Sequence, residues 1–204
     1  MQVPNSKGNG LLVTRPTTFS DLIPTSGRLV WVREVSLIVG FSLLIALAAQ
    51  VRFFIPPISE VPFVASNMIV VLAAAILGSK RGLAAVGLYL AEGALGLPFF
   101  AGGNSGFSAF SGVTAGYLFG FAVSAFVVGL LAEKGWDKRF ATSFLAMLIG
   151  NLIILVMGGF WYSLTFGVEL AFTRAILPFL LADTIKMILA AVILPSAWFL
   201  VKKR

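Results

Sequence analysis

The sequence predicts an all-α fold: a polytopic membrane protein with six transmembrane helices and both termini cytoplasmic. Three observations lead there. Of 204 residues, 59% are hydrophobic and only 11% charged, with a mean hydropathy of +1.00. A soluble domain of this length cannot bury so much apolar side chain, so lipid is the solvent the composition calls for. Six stretches approach the roughly 20 apolar residues that a helix needs to cross the hydrocarbon, and the basic residues fall in alternate connections between them.

In order along the chain, residues 1–34 are expected to be a flexible N-terminal tail and residues 35–204 a six-helix membrane domain. Residues 1–27 are rich in Pro, Ser, Thr, Gly and Asn, a composition that does not build a core. For the next stretch a cleaved signal peptide is the competing reading, because Arg28 and Arg33 precede an apolar run and Ala46-Leu47-Ala48 mimics a cleavage site. The apolar run resumes at Val51, however, which favours a first span at 35–55. The second span is expected at 62–78. The third, 82–97, is short and ends sharply at "GLP", since Pro98 cannot continue the helical ladder. Spans at 113–132, 140–160 and 172–200 complete the set, and every connection is short except the uncharged stretch from Pro98 to Gly112.

Charge gives the orientation. One side collects Lys7, Arg15, Arg28 and Arg33, then Lys80 and Arg81, then Lys134, Lys138 and Arg139, then Lys202, Lys203 and Arg204. The other side holds Arg52 and Arg174, and Lys186 lies within the last span. Basic loops stay in the cytoplasm, so both termini are expected there. The net charge of +7 is therefore a signature of membrane topology; no basic helix or aromatic platform accompanies it that would point to nucleic acid.

Polar groups inside the spans mark the candidate site. An ionised side chain near mid-bilayer costs about 2.5–3.5 kcal/mol on insertion scales, so such residues usually line a pathway or site. Asp183 and Lys186 share one face of the sixth span, three residues apart. At about 1.5 Å per residue, Asp183 lies roughly 7–8 Å inward of Pro178. Asn67, beside Ser66, is at similar depth in the second span, and Glu92 and Tyr89 approach the outer end of the third. Together with the outer loop "PFFAGGNSGFSAFSG" they outline a cavity open to the outside. Glu92 either pairs with Lys186 or sits protonated against a neighbouring helix. Tyr89 serves packing or ligand contact, and Asn151 a hydrogen bond between helices beside Gly150. In the loop, Gly102, Gly103 and Gly106 permit positive φ and close backbone approach, and Asn104 offers both donor and acceptor. Ser42, Ala46 and Ala49 form a small-residue stripe suited either to partner docking or to packing within the bundle.

Several classes are disfavoured. The chain has neither Cys nor His, which removes thiol chemistry and the usual zinc and haem ligands. No metal or cofactor is expected. "GSKRG" at 78–82 lacks the phosphate-loop spacing. An enzyme would need a catalytic set that Asp183 and Glu92 do not complete. A stand-alone secondary transporter remains the alternative, although the two halves share no visible repeat.

Five stretches carry a family resemblance: "VPF" at 61–63, "AILGSKRGLAAVGLYLAEGALGLPFFAGG" at 75–103, "TAGYLFGF" at 114–121, "GNLII" at 150–154 and "PFLLADTIKMILAA" at 178–191. They resemble the BioY family, the biotin-binding S components of energy-coupling-factor (ECF) transporters, from about Phe53 onward. Residues 1–34 have no counterpart in that resemblance. The chain departs from the family at Val113-Thr114, where Pro-Thr is common, and after "VPF", where Thr and Gln are usual. The resemblance implies biotin as transported substrate, with Asn104 (Ser105 in an alternative register), Asp183 and Lys186 in its binding. It further implies partnership with a membrane T subunit and paired ATPases. Lys186 would then pair with the carboxylate or donate to the ureido oxygen, and Phe99, Phe100 and Phe107 would cover the ring.

Overall fold

The computed structural model describes residues 17–22, 29–53, 59 and 61–202. Its helices are α1 (Leu29–Gln50), α2 (Ser66–Leu77), α3 (Ser79–Ala94), α4 (Ala115–Glu133), α5 (Phe140–Phe166) and α6. The last is continuous: Val168–Leu170 runs through a π-turn, Ala171–Ile176, into Leu177–Lys202. Between α1 and α2 a minimal ribbon pairs β1 (Arg52–Phe53) antiparallel with β2 (Phe63–Val64). The all-α class holds, and α1, α4, α5 and α6 are long and apolar enough to cross a membrane.

Helix α2 sits at the centre, packed by α1, α3, α4, α5 and α6. Its 12 residues rise only about 18 Å, yet Val70, Val71, Ala73 and Ala74 have no exposed surface. A helix apolar all round is a buried one. Trp31, Leu47, Val156, Phe160, Leu181 and Phe199, by contrast, project outward with more than half their surface uncovered. Such a girdle suits lipid and not water.

Close helix approach depends on missing side chains. A Cβ on Gly116 of α4 would collide with the Met157 carbonyl and Trp161 of α5, and one on Gly129 with the backbone of Gly78 and Ser79. One turn beyond Gly129, Glu133 Oε1 accepts from the Ser79 amide at 2.7 Å and its hydroxyl at 2.8 Å. That carboxylate satisfies an orphan donor at the start of α3. Gly78, at φ +84°, is the single residue between α2 and α3.

The charged connections gather at one end of the bundle. There Arg81 binds Asp21 at 2.8 Å and Glu34 on α1, while Asp137, in the 3₁₀ turn Trp136–Lys138, accepts from the Trp198 indole at 2.5 Å. Phe19 packs edge-on against Trp198. These contacts correct the expected tail boundary. Residues 1–16 and 23–28 lie outside the described residues, but Phe19–Leu22 forms a 3₁₀ turn docked on this end, and α1 begins at Leu29 instead of 35. The charges of Arg33 and Glu34 do not stop the helix, because Glu34 is paired with both Arg33 and Arg81. The stripe Ser42, Ala46 and Ala49 is buried within the bundle, so it serves packing.

The π-turn in α6 has a local cause. Pro178 lacks the N–H that would bond the Arg174 carbonyl one turn back. Ser59 donates to that carbonyl instead, at 2.7 Å, and the Tyr117 hydroxyl donates to the neighbouring Ala175 carbonyl at 2.5 Å. The π-turn is thus held open by two side chains from outside the helix.

Candidate functional site

Opposite the charged end, residues of α1–α6, with the 98–114 stretch, surround a cavity of ≈ 390 Å³. That lies within the roughly 300–1,000 Å³ usual for small-molecule sites. Its walls are mainly apolar, with Phe100, Tyr117, Phe121 and Phe179 prominent. Phe63 stacks on Phe179 with ring centroids 4.3 Å apart.

The floor is a polar network. Lys186 Nζ donates to Asp183 Oδ1 at 2.8 Å, to the Val64 carbonyl at 2.8 Å and to Asn67 Oδ1 at 3.3 Å. Asn67 Nδ2 in turn donates to Asn151 Oδ1 at 3.0 Å, which ties α2 to α5. Asp183 is 1% exposed. A buried charge without a partner is costly, and here each charge faces the other with further hydrogen bonds around it. Among the described residues no donor reaches Asp183 Oδ2, and the Tyr89 hydroxyl has no protein partner. Both residues line the cavity.

The rim is built by the loop after Pro98. Phe100 and Asn104 form a bridge, the Phe100 amide donating to the Asn104 carbonyl at 3.0 Å. Gly102 and Gly103 turn the chain there at φ +77° and +74°. Gln50, at the end of α1, clasps the loop: its Nε2 faces the carbonyls of Pro98, Phe99 and Phe100 at 3.2–3.3 Å, and its Oε1 accepts from the Gly103 amide at 3.1 Å.

Five of the residues anticipated from sequence line the cavity: Asn67, Tyr89, Asn104, Asp183 and Lys186. Ser105, the alternative to Asn104, lines it as well. Gly103 shapes the rim without lining it. Glu92 is elsewhere: it accepts a hydrogen bond from Ser42 of α1. The suggested Glu92–Lys186 pairing is therefore corrected, because Tyr89 and Gly93 turn the core-facing side of α3 inward and rotate Glu92 toward α1. Of the three loop phenylalanines, Phe100 lines the cavity, Phe99 packs on the core and Phe107 is 77% exposed.

Arg52, Thr114, Tyr117 and Gln50 were missed. Arg52 stood out only as one of two outer cations, and Thr114 and Tyr117 only as part of "TAGYLFGF". Gln50 gave no signal, since it reads as the polar end of a span.

Comparison with known proteins bears on this arrangement. Residues 17–203 match the BioY family. The match reaches well into the segment for which the sequence offered no counterpart. The biotin transporter BioY of Thermotoga maritima is 38% identical over 154 residues, covering 75% of this chain and 88% of that protein. The biotin transporter BioY of Rhodobacter capsulatus is 35% identical over 176 residues, covering 79% and 90%. The crystal structure of the S-component for biotin from an ECF-type ABC transporter superposes with a TM-score of 0.75 at 25% identity, covering 88% of this chain and 96% of that one. With 187 consecutive positions spanned by the family match, the chain belongs to the BioY family.

Proposed function

We propose that this protein captures biotin at the outer face of a prokaryotic cell membrane as the S component of an ECF-type transporter. One observation carries the reading: a mostly apolar cavity whose floor is the buried Asp183–Lys186 pair. Biotin presents two ureido N–H groups, a ureido carbonyl, an apolar thiophane ring and a carboxylate. Asp183 Oδ2 accepts from one ureido N–H group, and the Tyr89 hydroxyl and Asn104 carboxamide complete the pairing of the ring. Phe100, Tyr117 and Phe179 cover the thiophane. The role is binding and release, without covalent chemistry.

In this reading α2 and α3 cross together with the four longer helices, giving six spans with both termini cytoplasmic. The twelve basic residues on one side support it. Energy must come from outside the chain, from a membrane T subunit and paired ATPases. Calorimetry on detergent-purified protein tests the proposal: saturable, stoichiometric biotin binding is expected from the chain alone. Proteoliposomes holding the chain alone should bind biotin without accumulating it under an ion gradient. Accumulation would favour a secondary transporter, and absence of binding would overturn the assignment.

A further inference from the structure

We propose that Gln50 is a positioning residue for ligand retention: from the end of α1 its carboxamide pins the rim loop and so keeps Phe100 in the cavity wall. The inference rests on the biotin reading above and concerns how fast the ligand leaves.

The loop is held at two points. At one, the Gly106 amide donates to the Gly93 carbonyl of α3 at 2.7 Å. At the other, Gln50 meets the 98–103 backbone with both of its polar atoms. Phe100, Ala101, Asn104 and Ser105 fall within this doubly held stretch, and all four line the cavity. Phe100 is only 3% exposed. Its ring occupies the space that Gly93 leaves by lacking a side chain, edge-on to Tyr89 at 5.6 Å and to Phe110 at 5.7 Å. The wall is therefore made by a loop residue whose backbone carbonyl Gln50 holds at 3.2 Å.

A carboxamide suits this task because it carries a donor and an acceptor side by side. The Nε2 faces the Pro98, Phe99 and Phe100 carbonyls, and the Gly103 amide donates to Oε1, which fixes the way the group is turned. Gln50 is exposed and does not itself line the cavity, so changing it removes neither core packing nor a ligand contact. Without the clasp, the loop hangs from Gly93 alone and spends part of its time with Phe100 out of the wall. Affinity then falls with the fraction of time the wall is complete. The loss appears as faster dissociation, because an incomplete wall does not hinder entry.

The test follows labelled biotin binding to and leaving detergent-purified wild type, Gln50→Met and Gln50→Lys. Methionine keeps the length of the side chain and neither polar contact; lysine keeps a donor for the three carbonyls. Gln50→Met should release biotin about three- to tenfold faster, with association changed by less than about twofold. Gln50→Lys should recover part of the retention. In the ligand-free proteins, hydrogen exchange should quicken over 98–106 in Gln50→Met and stay unchanged in α4 and α5. Release at the wild-type rate from Gln50→Met, or equally fast release from both variants, would overturn the proposal and leave the biotin site standing. So would faster exchange throughout the bundle, which marks a general structural role. If the wild type bound no biotin, the biotin reading itself would fall and take this inference with it.

Discussion

Asp183 gives one carboxylate oxygen to Lys186 and lines the cavity, so the pairing and the proposed ligand contact can be tested separately. Asp183→Asn keeps the shape but loses the anionic acceptor, and a hydrogen bond to a charged group is worth about 1.5–3 kcal/mol. Biotin affinity measured by calorimetry should fall about ten- to hundredfold. Unchanged affinity would make Asp183 purely structural. Lys186→Met strands Asp183 as a buried anion, whereas Lys186→Met with Asp183→Asn strands no charge. The double variant should therefore melt higher than Lys186→Met alone; a lower melting temperature would count against the pairing at 2.8 Å. These residues were legible in the sequence because a charge in an apolar run is costly wherever it faces lipid. Gln50 and Arg52 were not. Both stand at the end of a span, where polar residues are ordinary, and their contacts are with a loop some 50 residues away.

The helices were legible as apolar runs, but their irregularities were not. Pro178 announces that the Arg174 carbonyl lacks a helical donor, while the resulting π-turn depends on Ser59 and Tyr117, far off in sequence. Ser59→Ala removes a donor from a partly buried carbonyl, which costs about 1–3 kcal/mol. Pro178→Ala restores a backbone donor nearby, so the serine change should lower the melting temperature less in that background. Equal drops in both backgrounds would show that Ser59 acts some other way. The turn between α4 and α5 makes a pH-dependent prediction. Burial pushes the Asp137 carboxyl above its ordinary 3.8, against the pull of the Trp198 indole and Lys138. Its Oδ1 has no hydrogen-bond partner among the described residues. A raised folded-state value means that the native protein holds this proton more tightly than the unfolded chain does. The stability it contributes is present below 3.8 and is lost as pH rises through the raised value. Asp137→Asn, which keeps an acceptor for Trp198 but cannot ionise, should remove this declining limb from melting temperatures recorded between acid and neutral pH. An unchanged pH profile would show that Asp137 does not titrate in this way.

At the scale of the whole molecule, hydropathy and charge reveal how many apolar runs there are and which ends belong together. They do not reveal that α2, only 12 residues long, is the hub of the bundle, since a buried helix and a lipid-facing one read alike in composition. The tail boundary was misjudged for a related reason: Phe19 and Asp21 dock through Trp198 and Arg81, partners that no local pattern discloses. The proposed orientation, by contrast, rests on charge alone, and the Cys-free chain makes it directly measurable. Lys80 is exposed at the charged end and Ser111 is exposed beside the cavity mouth. Single cysteines at the two positions should react oppositely with a membrane-impermeant maleimide on intact cells, Ser111→Cys labelling directly and Lys80→Cys only after permeabilisation. The asymmetry of twelve basic residues against two predicts this outcome, because membrane insertion retains Lys- and Arg-rich loops on the cytoplasmic side. Direct labelling at position 80 would invert the protein, turn the cavity toward the cytoplasm and remove its role in capture from outside.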